Sequence, residues 1–299
     1  MNLAPVSLFV YNRLDHTHQT IEALQKNILS DETNLFIFSD APKNKEQADA
    51  VYEVRNYIKT IDGFKSVTIV ERNSNFGLAR SIIDGVTSIV NEYGRVIVLE
   101  DDLVTSPYFL KYMNDGLNVY DKNDDVASIH GYVYPIDNLP ETFFIRGADC
   151  WGWATWKEKW AIFEPDSAKL ISELKYGNLT KSFDYNGAYL FSKMLVDQIS
   201  GKNNSWAVRW HASAFLKNKY TLYPGKSLVL NIGHDGSGTH CGETNVFSST
   251  LCNKVVRVLS IAVENNQQAL LAFEYYLRKQ KKGIFRRFAQ LIVKALGQI

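Results

Sequence analysis

The chain of 299 residues is poor in cysteine: it has three, Cys150, Cys241 and Cys252, with no CxxC spacing. Such a set excludes a disulfide scaffold, matches no common zinc site, and is expected of a reduced, cytoplasmic chain. Long apolar runs are missing too. None reaches the ~20 residues of a membrane span. The opening stretch MNLAPVSLFVYNRLD has no basic start before its short apolar run, so it does not read as a secretory signal. Charge of one sign is scarce overall, 33 basic against 32 acidic side chains for a net +1, and no nucleic-acid partner is expected. Three motifs are also absent. No GxGxxG follows the first strand-like run, where Tyr11-Asn12-Arg13-Leu14-Asp15 stands instead, and neither GxxxxGK[ST] nor GxSxG occurs. These absences weigh against a dinucleotide-dependent oxidoreductase, a P-loop nucleotidase and a serine hydrolase of the common α/β type.

What is present is an ordinary globular composition, 45% apolar and 13% aromatic, enough to build a sizeable core. Over the first 130 residues short apolar runs alternate with helical patterns. Pro5–Tyr11, Leu35–Ser39, Ser66–Glu71, Arg95–Leu99 and Val126–His130 are rich in Val, Ile, Leu and Phe with little polar alternation, as strands covered on both faces require. Between them the spacing predicts helices over Asp15–Asn27, Lys45–Ile61, Leu78–Tyr93 and Pro107–Tyr120. The repetition predicts an α/β fold, a mostly parallel, Rossmann-like sheet with helices on both faces.

After residue 140 the pattern changes. Phe143–Arg146 reads as one more strand, and an aromatic block follows, Trp151-Gly152-Trp153-Ala154-Thr155-Trp156. Asn186–Ser200 and Ser205–Asn218 read as helices, Leu222–Pro224 and Leu228–Ile232 as short strands, and Gly233–Gly242 as a glycine-rich loop. With no internal repeat and no low-complexity linker, the second half is expected to complete the first. Residues 278–299 carry seven basic side chains and no acid, which leaves 26 positive against 32 negative in the rest, a balance of −6. Apolar residues from Ile284 to Ile299 recur at helical spacing beside that basic flank, the pattern of an amphipathic helix lying in an anionic membrane interface.

In open α/β sheets, ligands bind beyond the carboxyl ends of the strands. There the sequence is acidic: Ser39-Asp40 ends the second strand and Glu100-Asp101-Asp102 the fourth. Three adjacent carboxylates at the end of a buried strand repel one another, and a hard divalent cation relieves them. Mg²⁺ in such sites takes one or two carboxylates together with ligand phosphates. The expected chemistry is a metal–diphosphate site; a solvated acidic turn is the structural alternative.

These residues resemble nucleotide-sugar glycosyltransferases of the GT-A fold. Pro5–Arg13 is similar to the first strand of family-2 transferases, Asn75-Phe76-Gly77-Leu78-Ala79-Arg80 to their Asn-x-Gly…Ala-Arg segment, and Glu100-Asp101-Asp102 to their metal motif. Glu-Asp-Asp-Leu followed by Pro-Tyr-Phe also resembles N-acetylglucosaminyltransferase I, and the similarity runs through Gly152-Trp153 to the glycine loop, over roughly residues 4–245. The resemblance implies that Asp40 reads the uracil edge, that Val10, Asn12 and Arg13 line base and ribose, that Arg80 lies near the nucleotide, and that Asp101 faces the ribose. It implies that Asp102 binds Mn²⁺ or Mg²⁺, with His240 as an extra contact, that Glu100 touches the donor sugar, and that Trp153 sits where donor and acceptor meet.

The resemblance breaks at the general base. The related enzyme has an aspartate before a helical tryptophan, where this chain has Asn203-Asn204-Ser205-Trp206. Asp235, Asp149 and Asp197 are the substitutes, with Asp235 placed first because a closing loop can carry it to the acceptor. The expected organisation is a glycosyltransferase domain over 1–265, divided into a nucleotide half (1–135) and an acceptor half (136–265), then a basic helix over 266–299. The expected activity is metal-dependent inverting transfer from a nucleotide-sugar, a UDP-sugar first, to a saccharide acceptor, lipid-linked, in surface polysaccharide or lipopolysaccharide synthesis. The setting would be cytoplasmic, peripheral on the inner face of the membrane. A sugar nucleotidyltransferase and a catalytically silent nucleotide-sugar-binding protein are the competing readings.

Overall fold

A computed structural model of the chain describes residues 3–236 and 246–280. The first half alternates as its apolar pattern predicts: β1 (Val6–Val10), α1 (Leu14–Gln25), β2 (Asn34–Ser39), α2 (Ala48–Ile58), β3 (Ser66–Glu71), α3 (Leu78–Tyr93), β4 (Arg95–Glu100), β5 (Leu103–Thr105), α4 (Phe109–Val119) and β6 (Val126–His130). Then come β7 (Thr142–Arg146), β8 (Trp153–Trp156), α5 (Lys157–Trp160), α6 (Ser167–Tyr176), α7 (Thr180–Phe183), α8 (Phe191–Ile199), α9 (Trp206–Leu216), β9 (Tyr220–Pro224) and β10 (Val229–Asn231). A last helix, α10, covers residues 267–280.

Eight strands form one sheet in the order β3-β2-β1-β4-β8-β6-β9-β7. β3, β2, β1 and β4 are mutually parallel, β8 runs antiparallel between β4 and β6, and β7 is antiparallel on the far edge. The expected sheet is therefore present, mainly parallel. The expected two halves share it, because β8 of the second half is inserted between strands of the first.

β1 is buried at all five positions because both its faces are covered. On one face Val6, Leu8, Val10, Ile97 and Leu99 meet Ile21 and Leu24 of α1 and Phe109, Leu110 and Met113 of α4. On the other, Phe9, Val96 and Val98 meet Ile82, Val86 and Ile89 of α3 and a tryptophan group from β8, α5 and α9. Helices on both faces leave the strand ends as the place where polar side chains collect. Because β1, β2 and β4 are in parallel register, with Val10 beside Ser39 and Phe9 beside Glu100, the segments after all three emerge at one edge.

A second ribbon shapes that edge. β5 pairs antiparallel with β10, Leu103 against Asn231 and Thr105 against Val229. This carries the start of the glycine-rich loop to the acidic turn, where Ile232 N donates to the Asp102 carbonyl at 2.9 Å. At the opposite end of the sheet, α10 turns Ala269, Phe273 and Leu277 onto Phe143, Ile145 and Tyr223. The start of the expected C-terminal helix is thus docked on the body. Residues 281–299, which hold most of the basic amphipathic pattern, lie outside the described residues. Among those described, no helix is long and apolar enough to cross a membrane.

Candidate active site

The loop after β1 supplies Arg13, and the turn after β4 supplies Glu100, Asp101 and Asp102. The fold joins them across almost ninety positions: the Arg13 guanidinium bonds Asp101 and reaches Asp102 Oδ2 at 2.8 Å. The acidic turn does not face bulk solvent. Asp101 is 4% exposed, and the Asp102 and Arg13 side chains are 15% and 19% exposed. Three acids crowd around one guanidinium, more than Arg13 can neutralise. The electrostatics follow. Burial, then repulsion from Asp102 and Asp101, pushes Glu100 up to about 8 against the pull of Arg13. Burial also lifts Asp101 to about 6, although Arg13 opposes it. Burial works against the Arg13 charge, but the two aspartates outweigh it and hold the guanidinium firmly protonated.

The three acids differ in what they touch. Asp101 points inward: one oxygen holds Arg13, its carbonyl accepts Thr20 Oγ1 at 2.8 Å, and Oδ2 is buried with no hydrogen-bond partner. The expectation that Asp101 faces a ribose is corrected, since it lies beneath Arg13 as a positioning group. Asp102 spends Oδ2 on Arg13, and Oδ1 has no hydrogen bond among the described residues. The Glu100 carboxyl makes no hydrogen bond there either. Above Asp102 the chain comes so close that a Cβ on Gly233 would lie 2.1 Å from Asp102 Oδ2 and 3.1 Å from Arg13 Nη1. Only glycine lets the loop cover the acids at this distance.

Three further expectations are corrected. Val10 is 4% exposed, and its side chain belongs to the core under α1. Trp153 is fully buried, packed on Trp160, Trp206 and Trp210 at centroid distances of 5.5–5.8 Å, so it cannot meet a sugar. The tryptophan at the site is Trp151, half-buried, whose ring meets Tyr132 at 4.7 Å, His234 at 5.3 Å and Phe247 at 5.5 Å. Asp40 spends both oxygens on main chain: Oδ1 accepts from Ala41 N (2.9 Å) and Phe76 N (2.8 Å), Oδ2 from Gly77 N (2.8 Å). It fixes the turn before α3, where Gly77 adopts φ +71°, instead of reading a base. Asp40→Ala is expected to lower the unfolding free energy by about 3 kcal/mol, since three amides, one buried and two half-buried, lose a charged acceptor. Asp40→Asn, which keeps one oxygen, loses less. Urea unfolding measures both, and an unchanged midpoint for Asp40→Ala refutes the assignment.

Asn12 is half-buried on the loop after β1. Arg80 has no contact to the acidic turn among the described residues; its guanidinium lies over the Phe76 ring at 3.9 Å. His240 lies outside the described residues. Of the candidate bases, Asp197 on α8 is held by Lys193 and by Lys202 at 3.9 Å. Asp149 is tied to Cys150 N at 2.8 Å, to Tyr223 Oη at 3.3 Å and to buried His130 at 3.9 Å. Asp235 is half exposed at the rim, 3.2 Å from His16 Nε2. Asn204 accepts from Gln198 and Arg209, both at 3.3 Å.

From the sequence, His16, Cys150 and His234 receive no role at the site, and the sugar contact falls on Trp153 instead of its neighbour Trp151. His234 sits in the glycine loop that was singled out, and burial lowers its proton affinity although Asp102 pulls the other way. Cys150 follows Asp149, and burial, helped by Asp149, Glu100 and Asp102, keeps the thiol protonated.

A divalent cation suits this set of residues. The donors are hard oxygens, the acids outnumber the one guanidinium beside them, and one buried carboxylate oxygen, Asp101 Oδ2, is orphaned. Among the described residues, no three His, Cys, Asp or Glu side chains close around one point, so such a cation would need oxygens from a ligand as well.

No family model and no curated protein matches the chain. It is similar to solved structures. One is the mannosyltransferase PcManGT from Pyrobaculum calidifontis in complex with GDP-Man and Mn²⁺, at 14% identity over 44% of this chain and 38% of that one, TM-score 0.32. Another is S. aureus TarS 1-349 in complex with UDP-GlcNAc, at 10% identity over 75% and 57%, TM-score 0.38. A third is a UDP-glucose pyrophosphorylase complexed with UDP-glucose, at 12% identity over 74% and 90%, TM-score 0.36. The chain spans between 37% and 59% of the length of the first three solved chains it matches.

Proposed function

We propose that the chain is a metal-dependent, inverting glycosyltransferase of the GT-A type that takes its sugar from a nucleotide-sugar, a UDP-sugar first. The observation that carries this reading is the Glu100-Asp101-Asp102 turn at the carboxyl edge of β4, Asp101 buried and its two neighbours half-buried, with more acids than Arg13 can neutralise. A solvated acidic turn has no reason to be enclosed under a glycine loop.

Asp102, with Glu100 beside it, would hold Mn²⁺ or Mg²⁺. When bound, the cation supplies a Lewis acid that steadies charge on a departing diphosphate. The protein's own parts are then distinct. Arg13 and Asp101 fix the direction of Asp102. Gly233 and His234 lie over the acids and exclude water there. Trp151 offers an aromatic face to a sugar ring. The acceptor oxygen attacks the anomeric carbon as the bond to the diphosphate oxygen breaks, and Asp235 takes the acceptor proton. Single displacement inverts the centre. The acceptor we propose is a lipid-linked saccharide, on the strength of the basic, apolar pattern in residues 278–299. Deleting residues 281–299 is expected to abolish flotation with anionic vesicles; undiminished binding removes the membrane from the reading.

Calorimetric titration with a panel of nucleotide-sugars, with and without Mn²⁺, tests the proposal. One nucleotide is expected to bind at least about tenfold more tightly with the cation. Pyrophosphate release dependent on a nucleoside triphosphate would favour the nucleotidyltransferase instead. Metal-dependent binding without turnover would leave a silent nucleotide-sugar-binding protein.

A further inference from the structure

A groove of about 550 Å³ runs along the outer side of α3, within the ~300–1,000 Å³ common for small-ligand sites. It is lined by Arg80, Asp84, Thr87, Ser88 and Asn91 of α3 and, across it, by Asn204 and Arg209 at the start of α9. It shares no residue with the acidic turn. Its charges are unevenly matched. Asp84 is already bound by Arg72, which approaches from the β3 side. Arg80 has no carboxylate partner among the described residues and rests on Phe76.

Arg209 is the more telling group. It is 8% exposed, yet no carboxylate among the described residues meets it. Its donors reach the Ser205 carbonyl, the Pro165 carbonyl and Asn204 Oδ1, each at 3.3 Å. These are long bonds to neutral acceptors, and the Phe163 ring at 5.9 Å adds little. A buried guanidinium normally has an anion beside it, because desolvating the charge is costly without one. Here a buried arginine held only by neutral acceptors and an exposed one border one cavity, with hydroxyl and amide groups from Thr87, Ser88, Asn91 and Asn204 between them.

We propose that this groove is a second binding site, for an oxyanion carried on a hydroxylated ligand, a phosphorylated or a carboxylated saccharide. Arg209 supplies the desolvated charge, Arg80 closes over the anion from the rim, and the hydroxyl and amide side chains meet the sugar hydroxyls. The site does not depend on the reaction assigned to the acidic turn.

Titration of the full chain in EDTA with inorganic phosphate, glucuronate and glucose tests this, with the Arg209 Nε resonance followed in parallel. One or both anions are expected to saturate a single site and shift that resonance, while glucose does neither. Stronger binding of phosphate assigns a phosphoryl group, and stronger binding of glucuronate a carboxylated sugar. Arg80→Glu, a change at an exposed position, is expected to weaken the anion about tenfold or more. No saturable binding of either anion, or an affinity unchanged in Arg80→Glu, overturns the site. Because EDTA removes any cation, these outcomes are independent of donor binding at Asp102.

Discussion

Asp102→Ala is expected to reduce metal-dependent release of nucleoside diphosphate from the donor by two to three orders of magnitude or so, the range seen when one group that stabilises developing charge is removed. Asp102 is directed by Arg13, is 15% exposed and keeps Oδ1 without a hydrogen bond among the described residues, whereas the unpartnered oxygen of Asp101 is buried, so Asp102 is the group through which a cation would be held. The fold is expected to survive. Arg13 retains Asp101, and the Asp102 carbonyl, which anchors Ile232, is main chain. The variant should therefore unfold within about 1 kcal/mol of the parent, as changes away from core packing do. Asp102→Asn keeps the shape and discards the charge, and a similar loss there would show that charge is the cause. If either variant turned over the donor within a factor of about ten of the parent, the acids would not be the centre of the reaction.

The sequence made β1, β2, α3 and β4 legible because their burial is decided locally. A strand covered on both faces must be apolar throughout, and α3 shows one apolar stripe bounded by Gly77 and Gly94. It could not show β8. Trp153-Ala154-Thr155-Trp156 looks like an aromatic block, and its place between β4 and β6 depends on pairing with residues that lie far away in the chain. The same gap explains the wrong tryptophan. Gly152, at φ +67°, bends the chain just before the strand, so Trp153 enters the core while Trp151 stays at the site. No two-residue alternation continues across such a bend.

The acids tell a similar story. Asp40 and Asp102 both follow apolar strands, and neighbouring residues do not distinguish them. What separates them is the partner. Asp40 receives amides from the turn before α3, some 36 positions on, whereas Asp102 receives Arg13 from behind and the glycine loop from above. Composition at a strand end announces a site, and long-range contacts decide which carboxylate is structural.

Glu100→Gln should make the protein more stable and less active at once. Without a cation the folded chain keeps a proton on Glu100 up to about 8, whereas the unfolded chain releases it near 4.5. Between those values folding takes up a proton, so stability falls as pH rises, by about 1.4 kcal/mol for each pH unit at most. Above about 8 Glu100 is charged in the folded chain as well and the loss stays constant. Glutamine carries no such charge and also relieves its neighbour Asp101. The variant and the parent should accordingly unfold alike near pH 5, and by pH 8 in EDTA the variant should be ahead by a few kcal/mol, the precise figure being reduced by relaxation around the turn. Urea unfolding at pH 5, 6.5 and 8 measures the gap. Adding Mn²⁺ at pH 8 should narrow it, because a cation stabilises the parent's charged form more than the amide. A gap that does not grow with pH would mean that Glu100 is not held against its charge in the folded state. A gap that grows but ignores Mn²⁺ would leave the strain real and the cation unneeded. Strain of this kind at a strand end is retained where function uses it, since one substitution would remove it.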